Sequence, residues 1–318
     1  MHKIAMRGLA AAALCLALQS AALANDMLKV AVGQRGSWET GISDLGQQGG
    51  IFKKHGLELQ IVYTQGSGET QQAVISGSVD IGIAVGTFGA LGAYSKGAPI
   101  RAIGATMTGG SDLLWYVKAD SPIKTMKDVI GKSVAYSTNG SSTHLTVLAF
   151  RKHFDIDFKP VATGGPPGTF TQVMSGQIDV GWAVIPFGIE AADQGQIRVI
   201  AKASDIPSFR EQTIRLITTN VETLKNRREV LRRYLQAYRE TVNWMYSDPA
   251  VLKMYAEFAK VPESVARRTR DDLMPKDDLD PDRLSGLQGL MADAVSFKYV
   301  PAVLTKKQIG ELFVIPLK

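Results

Sequence analysis

Residues 76–89 read SGSVDIGIAVGTFG, and residues 175–188 read SGQIDVGWAVIPFG. One phrase is written twice, 99 positions apart. Aligned without gaps, residues 62–93 and 161–192 are identical at fourteen of thirty-two positions; chance at roughly 6% per position gives about two. A period this long does not build a solenoid and points to two similar lobes.

Each copy predicts the same unit. In the first, 58–63 is a strand, Gly66-Ser67-Gly68 breaks it, and a helix covers 69–76. Gly77 suits the left-handed position after a helix, and 81–85 is a short apolar strand of the kind buried on both faces. The second copy repeats this with 159–163, 164–168, 169–175, Gly176 and 180–184. Upstream, 28–32 is a strand and 40–55 a helix closed by Gly56; in the second lobe these are 133–137 and 142–154. Alternating strands and helices imply parallel sheets with right-handed crossovers. The fold class is therefore α/β, with two lobes, each a mainly parallel sheet flanked by helices. Two apolar stretches, 113–117 and 214–218, flank the second lobe and are expected to cross between the lobes as a hinge. Residues 25–115 and 216–318 then form a discontinuous lobe one, and 116–215 form lobe two. Downstream, 222–246 predicts one amphipathic helix with Leu231, Tyr234, Leu235, Tyr238, Val242 and Met245 inward. Asp248-Pro249 and Asp280-Pro281 each read as a helix start.

The first 24 residues stand apart. A basic start (Lys3, Arg7), an apolar run at 8–18 and Ala22-Leu23-Ala24 have the layout of an export signal cleaved after Ala24. Cleavage takes the formal charge from +6 to +4, too mild for a nucleic-acid footprint, and removes Cys15, the one cysteine. No disulfide or thiol chemistry is then expected, nor any cofactor.

Ligands of open parallel sheets bind beyond the carboxyl ends of the strands. Here those ends are GQRGSWET (33–40), QGSGET (65–70), GTFG (86–89), STNGSSTH (137–144), GGPPGT (164–169) and IPFG (185–188). Candidate ligand contacts are Ser37 and Trp38 in the first, Gly68 and Thr70 in the second, and Thr87 and Phe88 in the third. Asn139, Ser141, Ser142 and Thr143 come from the fourth, Pro186 and Phe187 from the last, and Trp115 from the adjacent crossover. NGSST is the sharpest of these, because hydroxyls at the start of a helix beside its unpaired amides suit an anion. GSGETQ lacks the third glycine of a dinucleotide loop, with Gln71 in its place. Trp182, inside an apolar strand, reads as core. His55, His144 and His153 lack metal-ligand spacing. Asp278, Asp280 and Asp282 lack the glycine and glutamate of a calcium loop. No nucleophile–base–orienter set is evident.

The passages GIFKKHGLEL (50–59), SGSVDIGIA (76–84), DSPIKTMKDVIGKSVAYSTNGSSTH (120–144) and SGQIDVGWA (175–183) carry a resemblance. Over residues 28–220 the chain resembles the type II periplasmic substrate-binding proteins of ABC importers. It is most similar to the nitrate/sulfonate/taurine group, which includes thiamine-pyrimidine precursor binders. The resemblance implies a monomeric periplasmic receptor that closes over a small solute and docks on a permease with its separate ATPase. It also implies that the seryl loop 141–143 contacts an anionic ligand. VIPFG (184–188) departs from aliphatic-sulfonate binders, which often carry Trp and an acidic residue there. A sulfonate-like or aromatic carboxylate anion is the expected ligand; the alternative is a neutral heterocycle. A pyrimidine-synthase-like enzyme of the same fold uses cysteine and histidine, and the mature chain has no cysteine. A regulator's effector domain needs a DNA-binding segment where the export signal stands.

Overall fold

A computed structural model describes residues 25–317; the expected export signal, Cys15 and the cleavage site lie outside the described residues. The ten strands are β1 Asp26–Gly33, β2 Leu57–Thr64, β3 Ile81–Gly86, β4 Ile100–Thr108, β5 Leu113–Lys118, β6 Ser133–Tyr136, β7 Lys159–Ala162, β8 Gly181–Val184, β9 Ile197–Lys202 and β10 Thr213–Asn220.

The repeat becomes two sheets of one topology. Lobe one orders its strands β2-β1-β3-β10-β4, with β2, β1 and β3 parallel and β10 antiparallel to both neighbours. In lobe two, β7-β6 pair in parallel, a bridge from Val134 to Val180 joins them to the β8 edge, and β8-β5-β9 follow with β5 antiparallel. Position for position, β5 is to lobe two what β10 is to lobe one. The lobes exchange this antiparallel strand along the chain: lobe two takes it from before its own repeat, lobe one from after lobe two. The expected crossings at 113–117 and 214–218 are thus full sheet members, and the boundaries 115/116 and 215/216 fall inside strands. We place the passages between lobes at 109–112 and 203–212.

The repeated residues explain themselves as structure. Asp80 accepts the Lys29 N–H at 2.8 Å, and Asp179 accepts the Ser133 N–H at 2.9 Å, so each aspartate ties its strand to the one beside it. Thr64 and Thr70 share a hydroxyl bond of 2.7 Å, as Thr163 and Thr169 do at 2.6 Å. At Gly82 a methyl would stand 2.6 Å from Val74, and at Gly181 it would stand 2.7 Å from Val173; these helices pack on strands with no room for a side chain.

Ten helices bear on the argument: α1 Ile42–Gln48, α2 Ile51–Lys54, α3 Ser67–Ile75, α4 Thr87–Ser95, α5 Ser142–Phe154, α6 Pro166–Met174, α7 Ile189–Asp193, α8 Val221–Asn226, α9 Arg228–Ser247 and α10 Ala250–Ala259. The helix expected at 40–55 is broken into α1 and α2, because Gly49-Gly50 follow α1 and Gly50 turns to φ 74°. The helix expected at 222–246 breaks at Arg227, whose φ/ψ of −126°/27° is not helical, although all six expected inward residues are buried. Asp248, one residue before Pro249 at the N-cap of α10, accepts the Ala250 N–H at 2.9 Å. Asp280-Pro281 starts no helix: the Pro281 carbonyl accepts Ala105 N–H at 2.8 Å, holding the segment against the β4 edge.

Candidate ligand-binding cleft

Loops leaving the carboxyl ends of β1, β2 and β6 meet the ends of strands β3 and β8 between the lobes. They enclose a cavity with about 30 Å³ open to water centres, room for roughly two waters or one compact polar group. Lobe one contributes Ser37, Glu39, Thr40 and Ser67; lobe two contributes Ser137, Ser141, Ser142, Thr143 and Trp182; Arg215 enters from β10.

Most of these hydroxyls are held in place. Ser141 caps α5 by accepting the His144 N–H at 3.1 Å. Thr143 Oγ1 accepts the Ser137 N–H at 2.9 Å and lies 2.9 Å from both the Ser137 and Ser141 hydroxyls. Across the cleft, Ser67 Oγ accepts the Gly86 N–H at 2.7 Å, and Ser37 pairs with Thr40 at 2.8 Å. Ser142 differs. Its carbonyl accepts Thr146 Oγ1, but among the described residues its hydroxyl has no protein partner. It sits in the first turn of a thirteen-residue helix whose leading amides carry partial positive charge. Trp182 Nε1 is buried without a hydrogen-bond acceptor. The cleft thus holds spare donors on one wall.

Its floor is charged. Arg215 donates from Nη2 to Asp112, and its Nε lies 3.0 Å from Glu39. All three are buried. Burial works against the Arg215 charge, but the two carboxylates outweigh it and hold its pKa above the ordinary range. Burial pushes the Glu39 carboxyl up, against the pull of Arg215. Asp112 belongs to the first inter-lobe passage and Arg215 is the third residue of β10 after the second, so this cluster joins the chain next to both passages to the cleft loop.

The lobes are also latched outside the cavity. Gly89 N–H donates to the Gly140 carbonyl at 3.0 Å, and Gly68 N–H to Thr138 Oγ1 at 3.1 Å. The Tyr299 hydroxyl accepts the Gly140 N–H at 3.1 Å and donates to His144 Nδ1, while His144 stacks on Tyr136 at 4.2 Å. Burial pulls the His144 pKa down to about 4, so the closed form keeps it neutral. Parting the lobes should return His144 toward its ordinary 6.5, so this contact between them is expected to weaken as pH falls from 6.5 toward about 4, by up to about tenfold per pH unit. Tyr299→Phe removes both lobe-to-lobe hydrogen bonds of this hydroxyl and should weaken ligand affinity roughly tenfold or more at pH 7.5. Titration calorimetry of the two proteins reads this directly; equal affinities would dismiss the latch.

The structure divides the thirteen residues expected at the site. Ser37, Ser141, Ser142 and Thr143 line the cavity. Trp38 packs edge-on against Tyr255 at 4.6 Å, and Phe88 packs beside Tyr299 at 5.4 Å. Trp115 donates to the Ala135 carbonyl at 2.9 Å and meets Phe150 edge-on. All three are core, their rings packed on other aromatics and absent from the cavity lining. Thr70 is spent on Thr64, Thr87 donates to the Thr213 carbonyl at 2.7 Å, and Gly68 contacts Thr138. Asn139 accepts the Tyr136 hydroxyl at 2.7 Å and faces a separate outer groove. Pro186, in a cis peptide, turns Phe187 toward Gly36 across the gap and into a second groove on lobe two. Phe88 and Phe187 therefore do not face each other as matched walls: Thr87 starts α4 at once in lobe one, whereas the proline imposes a turn in lobe two. Glu39, Arg215 and Trp182 were not among the expected site residues.

A family model described as NMT1/THI5 like matches residues 45–251. The chain belongs to the NMT1/THI5-like family. Two curated relatives, the 4-amino-5-hydroxymethyl-2-methylpyrimidine phosphate synthases THI12 and THI5 of Saccharomyces cerevisiae, are each 24% identical over 233 residues, 67% of this chain and 66% of theirs. This NMT1/THI5-like chain therefore spans just under two thirds of their length. Among solved structures, the alkanesulfonate-binding protein SsuA of Xanthomonas axonopodis pv. citri, bound to MOPS, superposes with a TM-score of 0.76 at 18% identity, covering 90% of this chain and 97% of that one. The periplasmic nitrate-binding protein NrtA of Synechocystis PCC 6803 gives 0.70 at 12%, covering 91% and 86%. These likenesses establish the periplasmic binding protein fold.

Proposed function

We propose that this chain is the solute receptor of an ABC-type importer, working in the periplasm as a monomer and delivering a small organic anion to a permease with its ATPase. The observation that carries this is the cavity between the lobes, where the Ser142 hydroxyl and the first α5 amides stand without protein partners. SsuA, an alkanesulfonate-binding protein bound to MOPS, and NrtA, a nitrate-binding protein, agree with such a site. The cavity's size favours a compact sulfonate or carboxylate head; a ring would require the lobes to part further. Binding rather than catalysis fits the hydroxyls, which apart from that of Ser142 bond to one another and to backbone, with no carboxylate or imidazole side chain on them among the described residues.

Ser142→Ala removes a donor that holds nothing in the protein. A hydrogen bond to a charged group contributes about 1.5–3 kcal/mol, so anion affinity should fall roughly tenfold to a hundredfold with the thermal midpoint unchanged. Calorimetry and thermal unfolding of the pair test this; undiminished affinity sinks the assignment of the anion to α5.

A second reading, a neutral aminopyrimidine-like heterocycle, draws support from the names of the yeast relatives and from the indole donor and carboxyl of Trp182 and Glu39. Its mark is binding with little salt dependence, since no net charge is transferred.

A further inference from the structure

We propose that Glu39 decides the charge class of ligand the cleft accepts, and that an anion enters together with one proton, which this carboxyl takes up. The inference rests on the anion-receptor assignment and deepens it. Among the described residues Arg215 is the one cation lining the cavity, and it is already shared between two carboxylates, donating to Asp112 and facing Glu39 Oε2 at 3.0 Å. With both carboxylates ionised, the cluster carries one net negative charge before any ligand arrives. An anion held by Ser142 and the α5 amides would then meet like charge in a site that excludes most water, where such repulsion is strong. A proton on Glu39 brings the cluster to neutrality.

The geometry also says where that proton sits. Glu39 Oε2 faces Arg215 Nε, whereas Oε1 is buried without a hydrogen-bond partner. The other groups packed around this carboxyl are Asp112 from the first inter-lobe passage, Thr106 from β4 and Tyr238 from α9. Tyr238 keeps its proton, since burial drives its pKa well up, and Thr106 does not titrate. Asp112 Oδ1 is likewise without a partner, but Asp112 takes the Arg215 hydrogen bond and does not line the cavity, so Glu39, which does, is the group that changes. A neutral ligand rich in donors makes the opposite demand, because the ionised carboxylate is its natural acceptor.

The test uses residues 25–318 and a panel of probes: an alkanesulfonate, benzoate, nitrate and an aminopyrimidine. Calorimetry is run above pH 7.5, where His144 is neutral whether the lobes are open or closed. Tris and triethanolamine buffers, which present no buffering anion and differ in ionisation enthalpy, separate proton exchange from binding heat. Expected is uptake of up to one proton per bound anion, with affinity falling by up to about tenfold per pH unit toward pH 9. Glu39→Gln should bind the same anion about tenfold more tightly than the wild type at pH 9, with a flat pH profile and no proton uptake. Anion binding without proton exchange in the wild type overturns the proposal and leaves the anion receptor standing; this arm needs no variant. An equal pH slope in Glu39→Gln also overturns it. Tight binding of the aminopyrimidine alone, weakened tenfold or more by Glu39→Gln, overturns both.

Discussion

Gly86→Ala should abolish tight ligand binding while leaving each lobe folded. Gly86 ends β3 at φ −60° and ψ 131°, a conformation alanine adopts without strain. Its missing side chain matters only across the gap: a methyl there would lie 2.4 Å from the Gly140 carbonyl oxygen and 2.9 Å from Ser141 Cα. Both are backbone of the opposite lobe and cannot rotate away. The lobes must stop short of closure by about an ångström, which pulls the α5 amides off any ligand seated on lobe one. A ligand stabilises the closed state only through contacts with both walls. We expect at least a hundredfold loss of affinity, about 2.7 kcal/mol, by calorimetry. Thermal unfolding without ligand should move by no more than a few degrees. Gly89→Ala, at 3.0 Å from the same carbonyl, should behave the same way more mildly.

Arg215→Met should cost the fold most. It removes the guanidinium from between Asp112 and Glu39, and both carboxylates stay buried. Breaking a buried ion cluster by deleting one partner costs about 3–5 kcal/mol, which lowers the thermal midpoint by roughly 10 °C in a chain of this size. The companion change Asp112→Asn should restore part of the loss, since it removes one uncompensated charge. No recovery in the double variant would mean that Arg215 stabilises through packing alone.

The two lobes were legible because their repeat is structural. The aspartate tie, the threonine pair and the helix-facing glycine recur at an interval of 99, and each has a local job that fixes its type. The seryl loop was legible for the same reason, since a cap and a helix start are local signals. The charged floor was not. Positions 39, 112 and 215 converge only because the chain passes twice between lobes, and no local pattern carries that information. Trp182 is core, as its apolar strand implies, and its place bordering the cavity as well is not visible from that strand. Phe88 misled in the opposite way: identity with Phe187 concealed that Thr87 and Pro186 send the following residues in different directions. The helix at 40–55 was overdrawn because its apolar periodicity continues through Gly49-Gly50, where the backbone turns.

One measurement bears on the centre of the account, the closing of two lobes on a ligand held from both sides. Residues 25–318, as wild type and Gly86→Ala, are titrated at pH 7.5 with alkanesulfonates, aromatic carboxylates, nitrate and aminopyrimidines. The account expects at least one of these to bind the wild type below roughly 100 µM, about −5.5 kcal/mol, and to lose at least a hundredfold in the variant. No binding anywhere in the panel, or equal binding to both proteins, contradicts it.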